Sequence, residues 1–416
     1  MKKTSTYFTK NTMFYKFSLY GFLKNLRFFE PFLLLFFLDL GFSFFQMGIL
    51  FAVRDFSANL LEIPAGVLAD TFGRRKSMLL SFGSYILSFV IFTLSSSYPL
   101  LLFAMLLFAL GNALRSGTHK ALILEYLQIE GLHHLKVNYY GHTRSASQFG
   151  SAINSLLAAG LVFYSGSYRY IFGISIIPYL LDLINLASYP AELDGALIVF
   201  QKGTMLKQMR ATVHTFLAIF KEPRTIRALV NSSSFTAFFK VTKDYLQPIV
   251  TTLALSLPFL LTYQNAQRSA VLLGGVYFII YLFSSYAARH AAQFQQRIGQ
   301  LPQAINITFL IGAVFLFSAG IATRFELNAL AILVFLGFYM LQNIRKPQTV
   351  AFISDQISSQ VMAAGLSVES QFTNIIMVVL APLTGALVDL WGIGATLGIL
   401  GAGMLLLSWL VKVDET

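Results

Sequence analysis

Apolar runs of about twenty residues recur along the whole chain, each closed by a short polar or glycine-bearing stretch. A helix rises about 1.5 Å per residue, so about 20 apolar residues cross the hydrocarbon core of a bilayer. The pattern predicts an all-α integral membrane protein with twelve transmembrane helices. They fall at about 20–41, 43–70, 77–97, 99–122, 143–165, 170–189, 226–253, 268–289, 303–322, 328–345, 363–390 and 394–411. Tight or polar turns separate several of them: LGFS at 40–43, SSSYP at 95–99, SGSYR at 165–169 and DLWGIG at 389–394.

The longest polar connection divides the chain. It gives an N-terminal tail over 1–19, a six-helix half over 20–189, a linker over 190–225, a second six-helix half over 226–411 and a short tail over 412–416. Within the linker, Met205, Met209, Val213, Phe216 and Phe220 recur at helical spacing, while Lys207, Arg210, His214 and Lys221 recur on another face. That is the pattern of a basic amphipathic helix resting on a membrane surface.

Charge tests the topology independently. With both termini cytoplasmic, the outer loops keep only Arg169, Arg268 and Arg324, and the spans hold Arg54, Arg115, Lys240 and Lys243; the other Lys and Arg are assigned to the cytoplasmic side. Loops that stay inside retain Lys and Arg, so this asymmetry supports the orientation and the even count of spans; a plasma (inner) membrane is the expected location. It also accounts for the net charge of +12 without a nucleic-acid partner. Only 12% of residues are charged and 56% are hydrophobic, against about 25% charged in soluble domains. Cysteine is absent, which excludes disulfides and thiolate metal sites, and the polar, basic N-terminus predicts no removable signal peptide.

One connection is unusually charged. GVLADTFGRRKS, residues 66–77, joins the second and third predicted helices on the cytoplasmic side. Gly66 permits close approach of a neighbouring helix, and Asp70 can accept backbone N–H groups or pair with an Arg. Arg74, Arg75 and Lys76 hold the turn inside. Such a charged latch can form in one conformation and break in another. The string resembles the signature of the major facilitator superfamily of secondary transporters. Gly66, Asp70, Gly73, Arg74 and Arg75 stand in the matching positions, with Thr71 where the family most often has a basic residue. The resemblance implies two pseudo-symmetric six-helix bundles, with helices 1, 4, 7 and 10 lining a central cavity. It also implies nested three-helix inverted repeats, in which helices 2 and 11 are equivalent. GALVDLWG at 385–392 repeats the spacing of GVLADTFG at 66–73, with Gly385 and Asp389 at the matching positions. Inverted symmetry and a plain helix end both account for that echo.

Polar residues inside spans are costly and usually face protein or a water-filled cavity. In the seventh span, Lys240, Lys243, Asp244 and Gln247 follow i, i+3, i+4 and i+7 and so share one helical face, which Thr236 extends. Pro248 then disrupts the helix and frees backbone carbonyls. This is the main candidate for a substrate or ion site; the plainer reading is a Lys–Asp pair that fixes packing. Glu30 in the first span precedes Pro31 and is a coupling-carboxylate candidate, although Arg27 three residues earlier can pair with it. Arg115 is the candidate in the fourth span, with His119 one turn on and Glu125 reaching the cytoplasm. In the second span Asp55, Asn59 and Glu62 share a face with Gly66, a secondary and mainly gating set. Asn343, Gln342, Asp182 and Glu369 are weaker candidates that satisfy neighbouring helices.

The chain lacks a G-x-x-x-x-G-K-S/T phosphate loop, an H-E-x-x-H pair and a G-x-S-x-G elbow, which removes support for ATP-driven transport and for hydrolase chemistry. His133 and His134 are adjacent without further ligands, so no metal and no cofactor is expected. The sequence therefore predicts no enzyme but a monomeric secondary active transporter of a small solute, working by alternating access in the lipid bilayer. Coupling to protons, and the choice between an organic anion or zwitterion carrier and a multidrug or metabolite efflux carrier, stay open. A passive facilitator, and a receptor or scaffold that keeps the fold without transport, are the alternatives.

Overall fold

The computed structural model describes residues 10–132, 136–194, 223–356 and 362–413, and the regular elements among them are helical. In chain order they are α1 (Thr12–Leu23), α2 (Leu33–Asp39), α3 (Phe44–Phe72), α4 (Arg74–Leu94) and α5 (Tyr98–Arg115). Next come α6 (Thr118–Ile129), α7 (Lys136–Ser165), α8 (Tyr170–Ala187), α9 (Pro223–Thr242) and α10 (Leu246–Ser256). The last five are α11 (Asn265–Arg289), α12 (Ala291–Ile298), α13 (Leu301–Arg324), α14 (Asn328–Gln356) and α15 (Met362–Leu410). The amphipathic linker pattern and His133–His134 lie outside the described residues.

Among the described residues, eight stretches are long and apolar enough to cross a membrane. The reasons the count falls short of twelve are local. The run expected at 20–41 is split: α1 starts early, at Thr12, with Asn11 accepting a hydrogen bond from the Phe14 N–H at 2.9 Å, and ends at Leu23. A 3₁₀ turn over Glu30–Phe32 follows before α2, where Pro31 lacks the N–H that a continuous helix needs. The stretch at 226–253 is split into α9 and α10 by a 3₁₀ turn over Lys243–Tyr245. Helix α3 is continuous, but Arg54, Asp55, Asn59 and Glu62 make it too polar to qualify. The last two expected runs are two helices joined end to end in α15 across a kink at Gly392, with φ 79° and ψ 167°, so by length and composition they count as one stretch. Only glycine adopts that backbone readily, so the turn predicted at 389–394 shrinks to one residue.

The described residues form two compact units. The first holds residues 10–29, 57–157 and 169–194, and the second holds residues 30–56, 158–168 and 223–413. In the first, α4 packs on α5 through small polar residues: Ser77, Ser81 and Ser88 donate to the carbonyls of Leu114, Gly111 and Ala104 at 3.2, 2.6 and 2.7 Å. Serines allow helices to approach closely where lipid gives no hydrophobic drive. Tyr85 fills the space opposite Gly111, where a Cβ would meet its ring at 2.8 Å, and Phe89, Phe108 and Tyr179 pack around it. In the second unit, α13 and α15 meet backbone to backbone, and a Cβ on Gly394 would lie 2.5 Å from the Arg324 nitrogen. Arg268, expected in a loop, is buried at the end of α10, where it donates to the Ala254, Leu255 and Leu257 carbonyls at 3.3, 3.1 and 2.8 Å. It satisfies carbonyls left unpaired at a helix C-terminus.

Candidate functional site

The second unit gathers charged side chains around the breaks in its helices. Asp55 accepts from Arg54 Nε at 2.8 Å through Oδ1 and from Arg54 Nη2 at 3.1 Å through Oδ2. Lys243 Nζ donates to Asp244 Oδ1 at 2.9 Å. Glu30, exposed at the 3₁₀ turn that precedes α2, acts electrostatically on both Arg54 and Lys243, and Lys240 interacts with Asp55. Lys346 also acts on Lys240, so four cations meet three carboxylates here. A narrow cavity of about 20 Å³ runs between Arg54, Asp55, Lys240 and Asp244, with Met47 and Tyr245 closing its walls. That volume admits about one water molecule.

The split between α9 and α10 builds this arrangement. Pro248 cannot donate to the carbonyl four residues back, that of Asp244, and its ring crowds it. The backbone tightens into the Lys243–Tyr245 turn, which changes the angular offsets expected of a continuous helix. Lys240 and Asp244 reach the cavity. Gln247 is turned away and fully buried, where its Oε1 accepts from the Leu34 N–H at 3.0 Å and its Nε2 donates to the Glu30 carbonyl at 3.3 Å. Its contacts clamp the turn at Glu30 rather than open onto the cavity. Thr236 is half-buried and outside the cavity wall.

In the first unit the 66–77 turn carries a tight set of contacts. Arg74 Nη1 donates to Glu125 Oε2 at 3.0 Å, while its Nε lies 3.9 Å from Asp70. The Arg75 N–H donates to Asp194 Oδ1 at 2.6 Å, and Arg75 Nη1 donates to the Tyr189 carbonyl at 2.8 Å. Asp194 thereby supplies the cap that Gly73, the residue before α4, has no side chain to give. Gly73 has φ 106°, and a Cβ there would lie 2.7 Å from the Asp194 carboxyl carbon, so both backbone and space demand glycine. A Cβ on Gly66, by contrast, meets nothing within 4 Å. Asp194→Ala is expected to cost about 1–2 kcal/mol, the value of a charged helix cap. Thermal unfolding in detergent checks it, and an unchanged midpoint would refute the capping role.

The remaining candidates divide between binding and packing. Arg115 lies where α5 gives way to α6 across Gly117, and its Nε donates to the Tyr85 hydroxyl at 3.1 Å. Glu62 accepts from the Ser116 hydroxyl at 2.8 Å. Arg27 donates from Nε to the Tyr179 hydroxyl at 2.8 Å and lies over the Tyr85 and Phe108 rings. Asn343 donates to the carbonyl of Tyr339 one turn back, Asp182 accepts from Asn185, and Glu369 accepts from Ser232. The echo at 385–392 is the closer-packed copy. Asp389 accepts from the Phe44 N–H through Oδ1 and from the Phe45 N–H through Oδ2, both at 2.8 Å. Gly385 abuts the Phe44 carbonyl. Asp194 and Arg345 carry structural roles that periodicity did not mark.

Residues 19–368 match the family model described as Major Facilitator Superfamily. The chain belongs to that superfamily. Membership places it among multi-pass membrane transporters and not among enzymes. A stretch of 108 residues is 32% identical to the uncharacterized MFS-type transporter YxaM of Bacillus subtilis (strain 168), covering 26% of this chain and 27% of that protein. The match therefore spans about a quarter of the relative's length. The crystal structure of the nucleoside transporter NupG aligns with TM-score 0.78 at 13% identity, over 96% of this chain and 98% of that one. A peptide transporter, POT, in complex with sulfate aligns with TM-score 0.72 at 12% identity, over 98% and 95%. At such identities the likeness shows the superfamily fold alone.

Proposed function

We propose that this superfamily member is a twelve-span secondary carrier of a small polar solute, working by alternating access in the inner membrane with both termini cytoplasmic. The split runs at 12–39 and 223–256, the polar α3 and the bent α15 supply the spans beyond the eight that qualify by composition. Half-helices separated by irregular backbone are where such carriers hold substrates and coupling ions. The observation that carries the reading is the mixed-charge group of Glu30, Lys243 and Asp244 at these breaks with Lys240 of α9 and Arg54 and Asp55 of α3. Protonating one carboxylate makes the group more positive, so proton and solute occupancy become linked through one local field. A second reading has its own support: Arg54–Asp55 and Lys243–Asp244 are already paired, which suits a passive facilitator.

The test is flux in proteoliposomes under an imposed pH gradient, across organic anions, amino acids, sugars and lipophilic cations. One class is expected to move with the gradient, and Asp244→Asn combined with Glu30→Gln is expected to abolish the gradient's effect. Gradient-driven flux surviving in that variant would sink the coupling assignment. Wild-type flux indifferent to pH would identify the facilitator, and saturable binding without flux a receptor.

A further inference from the structure

The first unit holds a larger cavity, of about 280 Å³, bounded by α1, the α5–α6 junction and the start of α7. Among the described residues, its charged wall residues are Lys24, Arg115 and Lys120, and none is a carboxylate. Around them stand hydrogen-bonding groups of Tyr20, His119 and Asn25. Asp182, which is fully buried and not among the described lining residues, acts electrostatically on Lys24 and Arg115, and its Oδ1 accepts from Asn185 at 3.2 Å.

The wall is built rather than incidental. His119 stacks on Tyr20 with ring centroids 3.5 Å apart and 14° between planes, and its Nε2 lies 3.2 Å from the Tyr189 hydroxyl. Lys24 sits 5.3 Å from the Tyr20 ring centroid. Arg115 donates from Nε to the Tyr85 hydroxyl at 3.1 Å, the Tyr20 side chain acts on it electrostatically, and among the described residues it has no ion pair. Phenols fix the guanidinium without neutralising it. A planar fork held in place beside two ammonium groups is the arrangement that receives a carboxylate or phosphate. The volume is just under the lower end of ligand pockets, which sets a small solute.

We infer that this cavity is an anion site: the carried solute bears a carboxylate or phosphate that docks on Arg115, with Lys24 and Lys120 completing the positive wall. This deepens the carrier reading and rests on it. The contrast with the cavity of the second unit is the argument for placing the solute's anionic end here. The described lining of that cavity sets Asp55 and Asp244 against Arg54 and Lys240; among the described lining residues of this one, the charged groups are all cations.

Titration calorimetry on the purified full chain in detergent tests it, with succinate, its neutral isostere succinamide, and inorganic phosphate as probes. Succinate or phosphate is expected to bind and succinamide to fail, with affinity falling as salt rises. Arg115→Gln is expected to weaken anion binding about tenfold to a hundredfold, the worth of one charge-assisted hydrogen-bonded contact. Arg115→Lys should recover part of it. Lys120→Gln, at the exposed rim, supplies an independent variant if Arg115→Gln does not fold, and should weaken binding several-fold. Equal binding of succinamide, no binding of either anion, or unchanged affinity in both Gln variants would overturn the assignment. Capture of short-chain phosphatidylglycerol with neither soluble anion bound would overturn it too, by making the site a lipid contact. If these fail while the proteoliposomes still carry a neutral or cationic solute, the anion site falls and the carrier reading stands.

Discussion

Arg345→Ala is expected to be among the most destabilising single substitutions in the chain, at about 4 kcal/mol and about 10 °C in melting midpoint. The guanidinium is 2% exposed on α14. It donates to the Asn231 side chain, the Ile305 carbonyl and, at 2.8 Å, the Thr308 hydroxyl, which ties α9, α13 and α14 together. Phe235 and Phe309 flank it at 4.6 and 5.2 Å from their ring centroids. Truncation removes a charge that is expensive to bury, but it also orphans a carbonyl and an amide oxygen and opens a void between two aromatic rings. Those losses add, because removing one partner leaves the others unsatisfied. Arg345→Lys should recover less than half, since an ammonium cannot span acceptors on two helices at once. Thermal unfolding of both variants in detergent decides the matter. An Arg345→Lys protein as stable as wild type would show that charge alone, not the fork, holds the three helices.

Arg345 also marks where reading the sequence stops. At the end of a predicted span it looks like one more cytoplasmic anchor; that it is buried depends on Asn231 and Thr308, 114 and 37 residues earlier in the chain. What period and charge could show was local: the apolar runs, the GVLADTFGRRKS turn, the concentration of charge before Pro248. The carboxylate that caps Arg75 is Asp194, from the polar linker, and no spacing rule connects positions 119 residues apart. Likewise the i, i+3, i+4, i+7 stripe of the seventh span assumed an unbroken helix. Proline breaks that assumption at Asp244, so Lys240 and Asp244 reach one cavity while Gln247 turns to hold the backbone of the Glu30 turn. His119 and Tyr20 are a third case. Each reads as an ordinary polar or aromatic residue, and only packing makes them one wall of a positive pocket.

Gly385→Val is expected to part α15 from the start of α3, and Asp389→Ala to loosen the same contact. A Cβ at Gly385 would lie 2.5 Å from the Phe44 carbonyl carbon and 2.8 Å from the Phe45 Cα. Both obstacles are backbone, so no rotamer change relieves the collision, and valine adds bulk to it. Asp389 works on the same turn from the other side, accepting two adjacent N–H groups that the first turn of a helix leaves unpaired. A second close approach lies one turn along, where a Cβ on Gly48 would be 2.5 Å from the Ala381 carbonyl oxygen and 2.7 Å from the Pro382 Cα. Met47, next to Gly48, is 1% exposed and lines the charged cavity. The native chain contains no cysteine, so a Met47→Cys substitution provides a single thiol reporter. In the otherwise native chain it should react slowly with a water-soluble maleimide. Adding Gly385→Val or Asp389→Ala should raise the labelling rate by about tenfold, corresponding to roughly 1.4 kcal/mol in the opening equilibrium. Under the proposed orientation, that gain would come with solute access from the outer side. A labelling rate unmoved by both substitutions would mean that the 385–392 segment merely ends a helix, and the echo of 66–73 would carry no gating role.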